Sequence, residues 1–231
     1  MESTQADYSI LFIGKKEDEF SKKAANLTLS HFGNTQIVYS KRTDPFPEAL
    51  LDWQGNIIIS YLSQWIIPEA LLSKAKVAAI NFHPGPPEYP GIGCTNFAIY
   101  NGEQEFGVTC HHMKAKVDTG AIISVKRFPL FADDTVFDLT QKCYKAIFEL
   151  YANLLSIIKD GGDFPLSNET WKRKPFTRKQ LNELCTIKPG MRKDEIELRL
   201  KATTYGEKVW ARVLINDEML SYEDALKKKL I

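Results

Sequence analysis

The chain has 231 residues with a formal net charge of +1, 26% charged and 44% hydrophobic residues. That length suits one main core with a small appendage, and the balanced charge gives no global basic field of the kind that nucleic-acid binding calls for. The first ten residues, MESTQADYSI, hold no basic segment leading into an apolar one, and nowhere do about 18 apolar residues run together, so a cytoplasmic protein without a membrane span is expected.

Cys94, Cys110, Cys143 and Cys185 are scattered, with no CxxC pair and no close Cys/His cluster, as expected of reduced thiols rather than a metal site. Tyr8–Ile13 (YSILFI), ending on Gly14, reads as a first buried strand. Lys15, Lys16 and Glu17 follow it in place of a GxGxxG loop, which argues against a bound dinucleotide. Asp18–Phe32 spaces Phe20, Ala24, Leu27 and Phe32 as a helix does, closed by Gly33 and Asn34. Strands are predicted at Thr35–Ser40 and Asn56–Ser60, joined by a proline-containing loop with at most a short helix. Pro68 is placed to begin a helix to about Ala75, which leaves Tyr61–Ile67 as a loop of flat and apolar side chains, either a lid on the core or a pocket wall.

The next stretch, Val77–Gly93 (VAAINFHPGPPEYPGIG), organises the rest. Val77–Ile80 is a short buried strand that ends on Asn81, Phe82 and His83. Alternation along a strand sends Asn81 and His83 to one side and Phe82 to the other, into packing. The four prolines and three glycines that follow forbid a helix and hold an extended loop beyond the strand. In an open α/β sheet the crevice outside the carboxyl ends of the strands is the default ligand site. An amide and an imidazole delivered there are candidates for chemistry; the alternative is that Asn81 caps a turn and His83 satisfies a loop carbonyl.

Farther on, Cys94–Asn101 suits a helix stopped by Gly102, and Phe106–Met113 a strand on which His111 and His112 face opposite ways, one toward the pocket. Val117–Gly120 reads as a tight loop and Ala121–Phe131 as a strand, antiparallel if the loop is a hairpin. Asp134 or Thr135 caps a long helix to about Lys159, with Phe137, Leu139, Cys143, Ile147, Leu150, Leu154 and Ile158 on its apolar face. After residue 162 the character changes to two short helices, Thr177–Leu184 and Arg192–Ala202, and a hairpin of Lys208–Ile215 with Met219–Tyr222. The expected fold class is α/β, with a main domain over residues 1–162 and a small helix-and-hairpin appendage over 163–231.

The ordered series NFHPGPPEYPGIG, GVTCHHM and VDTGAII resembles the folate-dependent formyltransferases, over residues 8–160 and most densely from Ser60 to Ile123. The resemblance implies a Rossmann-like catalytic domain in which Asn81, His83 and Asp118 move a formyl group from formyltetrahydrofolate to an amine. By this resemblance Asn81 donates to the oxyanion and His83 accepts the amine's proton, while Asp118 either orients His83 or relays the proton. It also implies a folate slot formed by Tyr61, Leu62, Ile67, Met113 and Val117.

Among family members the wording is most similar to the nucleotide-sugar N-formyltransferases. Gly85, Pro86, Pro87 and Glu88, then Pro90 and Gly91, stand where the methionyl-tRNA enzymes carry Ser-Leu-Leu-Pro and Arg-Gly, and the tail is expected to be too short for their C-terminal barrel. The implied acceptor is a nucleotide-linked 4-amino-4,6-dideoxy sugar, dTDP-linked, feeding surface polysaccharide such as O-antigen and lipopolysaccharide. Pro84, Gly85 and Gly91 would border the sugar, and Lys76, Tyr89, Asn96, Tyr205 and Trp210 the nucleotide. No nucleic acid or membrane partner and no metal is expected, and the Trp210 hairpin could pair in a homodimer. The alternatives are glycinamide ribonucleotide formylation, which would want a phosphate-gripping loop after the first strand, and a non-catalytic folate- or nucleotide-sugar-binding module.

Overall fold

A computed structural model of the chain describes residues 8–165 and 167–229. Residues 1–7, part of the stretch read above for an export signal, lie outside them. The elements of the main body are β1 (Ile10–Lys15), α1 (Glu19–His31), β2 (Thr35–Ser40), a 3-10 turn over Glu48–Asp52, β3 (Gly55–Tyr61), α2 (Glu69–Leu72), β4 (Ala75–His83), α3 (Cys94–Asn101), β5 (Glu105–His112), β6 (Ile122–Pro129) and α4 (Val136–Lys159). The six strands form one sheet in the order β2-β1-β3-β4-β5-β6. The first four are parallel, and β5 and β6 are added antiparallel.

Both faces of this sheet are covered, which is why its central strands read as unbroken apolar runs. Ile10 and Phe12 of β1 join Ile57, Ile59, Ile80 and Phe82 in a large core under α1 and α4. Leu11, Ile13 and Ile58 point the other way, into a smaller core with Leu50 and Leu71. Local signals fix the helices. Asp18 caps α1 by accepting from the Ser21 N–H, and Thr135 forms a capping box with Asp138 at the start of α4. Gly102 ends α3 in the left-handed region.

Several sequence expectations are corrected. Gly14 lies inside β1 rather than ending it, paired with Tyr39 and Tyr61. The helix after Pro68 is a single turn, because β4 begins at Ala75, where it pairs with Gly55. Phe137 is 41% exposed and meets the Tyr205 ring edge-on instead of entering the core.

The tail contains α5 (Arg178–Leu184), β7 (Thr186–Ile187), α6 (Lys193–Thr203), β8 (Thr204–Tyr205), β9 (Lys208–Val209), β10 (Arg212–Ile215), β11 (Glu218–Ser221) and α7 (Tyr222–Lys227). The run KVWARVLI is therefore not one strand. Lys208 and Val209 pair back on β8, while beyond Ala211 the chain changes partners to lie between β7 and β11. Asn216 and Asp217, both with positive φ, make the tight turn between β10 and β11. A small separate core of Ile187, Ala211, Val213 and Ala225 holds this sheet together. The division expected after residue 162 falls ahead of a segment that returns to the main body: Phe176 is buried in the main core, and its backbone bridges to Gly91 in the loop after β4.

Within the main core four aromatic rings meet, Tyr61, Phe12, Phe82 and Tyr151. The Tyr151 hydroxyl bonds Thr28, whereas the buried Tyr61 hydroxyl finds no partner among the described residues. An unsatisfied buried hydroxyl is destabilising by about 1–3 kcal/mol. Tyr61→Phe is therefore expected to leave the melting temperature unchanged or raised and Tyr151→Phe to lower it; a lowered melting temperature for Tyr61→Phe would contradict the packing described.

Candidate active site

The chain order of the sheet creates an opening at its carboxyl edge. The connection leaving β1 leads to β2 on one side, while β3 lies on the other, so a crevice is left beyond the ends of β1 and β3, beside β4. A cleft of about 450 Å³ occupies this position. One wall is the segment from Leu62 to Ile67 that follows β3, and the opposite wall is the segment from Met113 to Asp118 between β5 and β6. Asn81, His83 and His111 lie between them. Leu62 and Asp118 both adopt positive φ, 54° and 48°, which is unusual for residues other than glycine and clusters at functional sites.

Strand register explains the convergence. Asn81 and His111 are direct cross-strand partners, so their side chains share one face of the sheet. The Asn81 Nδ2 lies 3.1 Å from His111 Nε2. A register shift in β5 between Cys110 and His111 accompanies the turn of the chain toward Asp118. Asp118 is buried between two imidazoles: Oδ2 is 3.3 Å from His83 Nδ1, and Oδ1 is 3.2 Å from His111 Nε2. The Gly91 N–H donates to Oδ2 at 2.7 Å.

Each imidazole has a backbone carbonyl on its other nitrogen. His83 Nε2 donates to the Tyr89 carbonyl at 2.8 Å, and His111 Nδ1 to the His112 carbonyl at 2.8 Å. Because a carbonyl can only accept, a neutral His83 would turn its lone pair toward the carboxylate. The contact to Asp118 is satisfied when the ring carries a second proton. His83 thus meets a loop carbonyl and also faces the Asp118 carboxylate.

Asn81, His83 and Asp118 meet as the sequence expects, and Leu62, Ile67, Met113, Val117, Pro84 and Gly91 line the cleft. Others lie elsewhere. Tyr61 is fully buried because β3 extends to include it, its ring turned into the core. Lys76 is at the amino end of β4, seven residues from His83 and so roughly 23 Å away along a strand. Tyr89 is buried against Phe106 and Phe176, with its hydroxyl on Glu103 and Asn101. Asn96 bonds the Ala202 carbonyl, tying α3 to α6, and Tyr205 packs on Phe137.

Gly85 is not among the residues lining the cleft, and a Cβ there would lie 2.7 Å from His83 Nε2. Sequence reasoning also missed a group of cations on the cleft, Lys15, Arg42, Lys114 and Lys116. Lys15 is paired with Asp18 and Tyr144, while the other three side chains make no ion pair among the described residues. The clue was the short KAK run before Val117.

Burial alone would raise the Asp118 carboxyl, but the charges of His83 and His111 and the bonds from His111 and Gly91 outweigh it and hold the group at about 2. Burial pushes the neighbouring Cys94 thiol up to about 12, so it stays protonated. His112, on the other face, packs against Phe164; burial, then the charge of His111, lowers it. A carboxyl held below its unfolded value of 3.8 contributes stability that is present above pH 3.8 and lost as pH falls through about 2. That contribution is on the order of 2 kcal/mol. Denaturant titrations should accordingly show the stability gap between the wild-type chain and Asp118→Asn shrinking by that order between pH 5 and pH 2; a gap independent of pH would contradict the assignment.

Comparison with known proteins agrees with this geometry. The family described as formyl transferase matches residues 22–155, more than half of the chain and all the strands that carry the site. The chain is 31% identical over 170 residues to methionyl-tRNA formyltransferase from Dictyoglomus turgidum, covering 72% of this chain and 46% of that one. It spans about half the length of the curated relatives it matches. Among solved structures, a 4-N formyltransferase from Francisella tularensis superposes with a TM-score of 0.72 at 18% identity, covering 92% of this chain and 96% of that one. An N-formyltransferase from Helicobacter canadensis, in complex with folinic acid and dTDP-3-aminofucose, gives 0.69 at 22% identity, covering 90% and 84%. The match over residues 22–155, in a chain that brings Asn81, His83 and Asp118 to one point, establishes that the protein belongs to the formyl transferase family.

Proposed function

We propose that this protein transfers a formyl group from formyltetrahydrofolate to the amino group of a nucleotide-linked 4-amino-4,6-dideoxy sugar, dTDP-linked, in the cytoplasm, to supply surface polysaccharide such as O-antigen or lipopolysaccharide. The observation that carries the transfer chemistry is the convergence of Asn81, His83 and Asp118 on one cleft. The cleft residues fit such a donor. Leu62, Trp65, Ile67, Met113 and Val117 offer flat and apolar surface, and Arg42, Lys114 and Lys116 offer positive charge for carboxylates or a diphosphate.

The folate supplies the formyl carbon, and its nitrogen takes up a proton as the carbon leaves. Attack by the amine moves the carbonyl electron pair onto oxygen, where the Asn81 amide N–H donates to it. The amine's proton passes to the His83–Asp118 pair at the Nδ1 edge, since Tyr89 occupies Nε2. Asp118 orients the ring and stabilises its positive charge, held in place by Gly91 and His111.

The sugar acceptor is supported by the solved sugar N-formyltransferases, which match this chain over more than nine-tenths of its length. The sequence relatives are methionyl-tRNA formyltransferases, which favours a second reading with that acceptor. Glycinamide ribonucleotide is disfavoured because the buried Asp18 carboxylate already occupies the amino end of α1, where a phosphate would sit. A homodimer through the hairpin surface, where Trp210 and Met219 are exposed, belongs to the same proposal, and a monomeric mass in solution would remove it.

Tetrahydrofolate release should be measured with dTDP-, GDP- and UDP-linked amino sugars, methionyl-tRNA and glycinamide ribonucleotide as acceptors. Turnover with a dTDP-linked 4-amino sugar is expected; turnover with methionyl-tRNA alone would replace the sugar reading. With the working acceptor, Asn81→Ala should lower kcat by roughly 10²–10³-fold and His83→Ala by roughly 10²–10⁴-fold. Lys114→Glu should raise the KM of an anionic substrate about tenfold, less so at high salt. A KM indifferent to that charge reversal would remove the cationic wall from the binding site.

A further inference from the structure

The tail segment between residues 167 and 177 is clamped along the proline-rich loop that follows β4. The Lys172 N–H donates to the Pro87 carbonyl at 3.0 Å, the Phe176 N–H to Pro90 at 2.8 Å, and the Ile92 N–H to Phe176 at 3.1 Å. Phe176 stacks on Phe97 with centroids 3.9 Å apart. At the other end, the Arg127 guanidinium is held by both carboxylate oxygens of Glu88 and by Glu169, fastening segment and loop to β6. Between these two fastenings stands Trp171.

The Trp171 ring meets His111 at 5.1 Å and His83 at 6.0 Å, nearly perpendicular to both, at 83° and 71°. Its Nε1–H donates to the Gly120 carbonyl at 2.8 Å. Gly120 is itself pressed on the His112 carbonyl, where a Cβ would come within 1.7 Å, and that carbonyl is the acceptor of His111 Nδ1–H. The indole thus touches the two imidazoles directly and reaches His111 a second time through the backbone. Both histidines line the cleft and Trp171 does not, so the indole backs them.

We propose that Trp171 is a positioning residue of the reaction, one that fixes the His83–Asp118–His111 group and shields its imidazoles from water. Perpendicular aromatic contact holds ring orientation. Without this backing the imidazoles gain freedom, and water weakens their attraction to Asp118. The other titratable groups near the imidazoles are His112 on the same strand and the Cys94 thiol beside Gly85; Arg127, Glu88 and Glu169 are occupied with one another. The inference rests on the assignment of His83 and Asp118 as the reacting pair.

The test joins steady-state kinetics with NMR measurement of imidazole N–H exchange with water in Trp171→Ala and Trp171→Phe. The Ala variant should lose at least about tenfold in kcat with both KM values within about threefold of wild type. Its His83 and His111 ring N–H protons should exchange with water at least about tenfold faster. The Phe variant keeps a ring but loses the bond to Gly120, so a loss of about threefold in kcat and a smaller rise in exchange are expected. If the Ala variant does not fold, the Phe variant decides. Wild-type kcat in a folded variant, or imidazole exchange that does not change, would overturn the proposal. The exchange reads Trp171 whichever acceptor the enzyme uses, so failure of the sugar reading would leave this result interpretable.

Discussion

The structure around the cleft turns on one carboxylate shared by two imidazoles. Asp118 is almost fully buried and still ionised, because His83, His111 and the Gly91 N–H face it. A buried charge with fewer partners would neutralise itself. The need to satisfy it explains the surrounding features: the left-handed backbone at Asp118, the close approach of the loop at Gly85, and the orientation of Asn81 by His111. It also binds three separate pieces of chain, the end of β4, the end of β5 and the hairpin loop, to a single point.

The sheet makes that convergence possible. Parallel strands bring the ends of β1, β3 and β4 to one edge, and two antiparallel strands then supply groups that a purely parallel sheet would have placed farther away. The antiparallel pair sets Asn81 opposite His111, and the following turn folds Asp118 back over both. The two sides of the cleft thus come from different parts of the topology: the apolar wall follows β3, while Asn81 and His83 end β4 and Asp118 lies in the loop between β5 and β6. The tail contributes as well, since the segment bearing Trp171 and Phe176 packs against α3, His111 and the loop that follows β4.

Much of this was legible in the sequence because it is local. Apolar runs located the buried strands, alternation placed Asn81 and His83 on one side, and capping residues such as Thr135, Thr177 and Gly102 marked helix ends. Asp118 was legible through its place in a motif series. The misses depend on register and long-range packing. Tyr61 moved from loop to core because β3 runs one residue farther, and Lys76 fell at the wrong end of its strand because β4 starts early. Trp171 is fifty-one residues from the Gly120 carbonyl it bonds, and no local pattern announces that contact. Nor could periodicity show that KVWARVLI changes partners midway, since both halves look equally strand-like.

The most direct test of the central claim is a crystal structure with 5-formyltetrahydrofolate bound as a non-transferring analogue of the donor. The account predicts the folate ring between the Leu62–Ile67 and Met113–Asp118 walls, with its formyl group within hydrogen-bonding reach, about 3 Å, of Asn81 and beside the His83–Asp118 pair. A folate bound elsewhere, or in this cleft with its formyl group turned away from those three side chains, would contradict it.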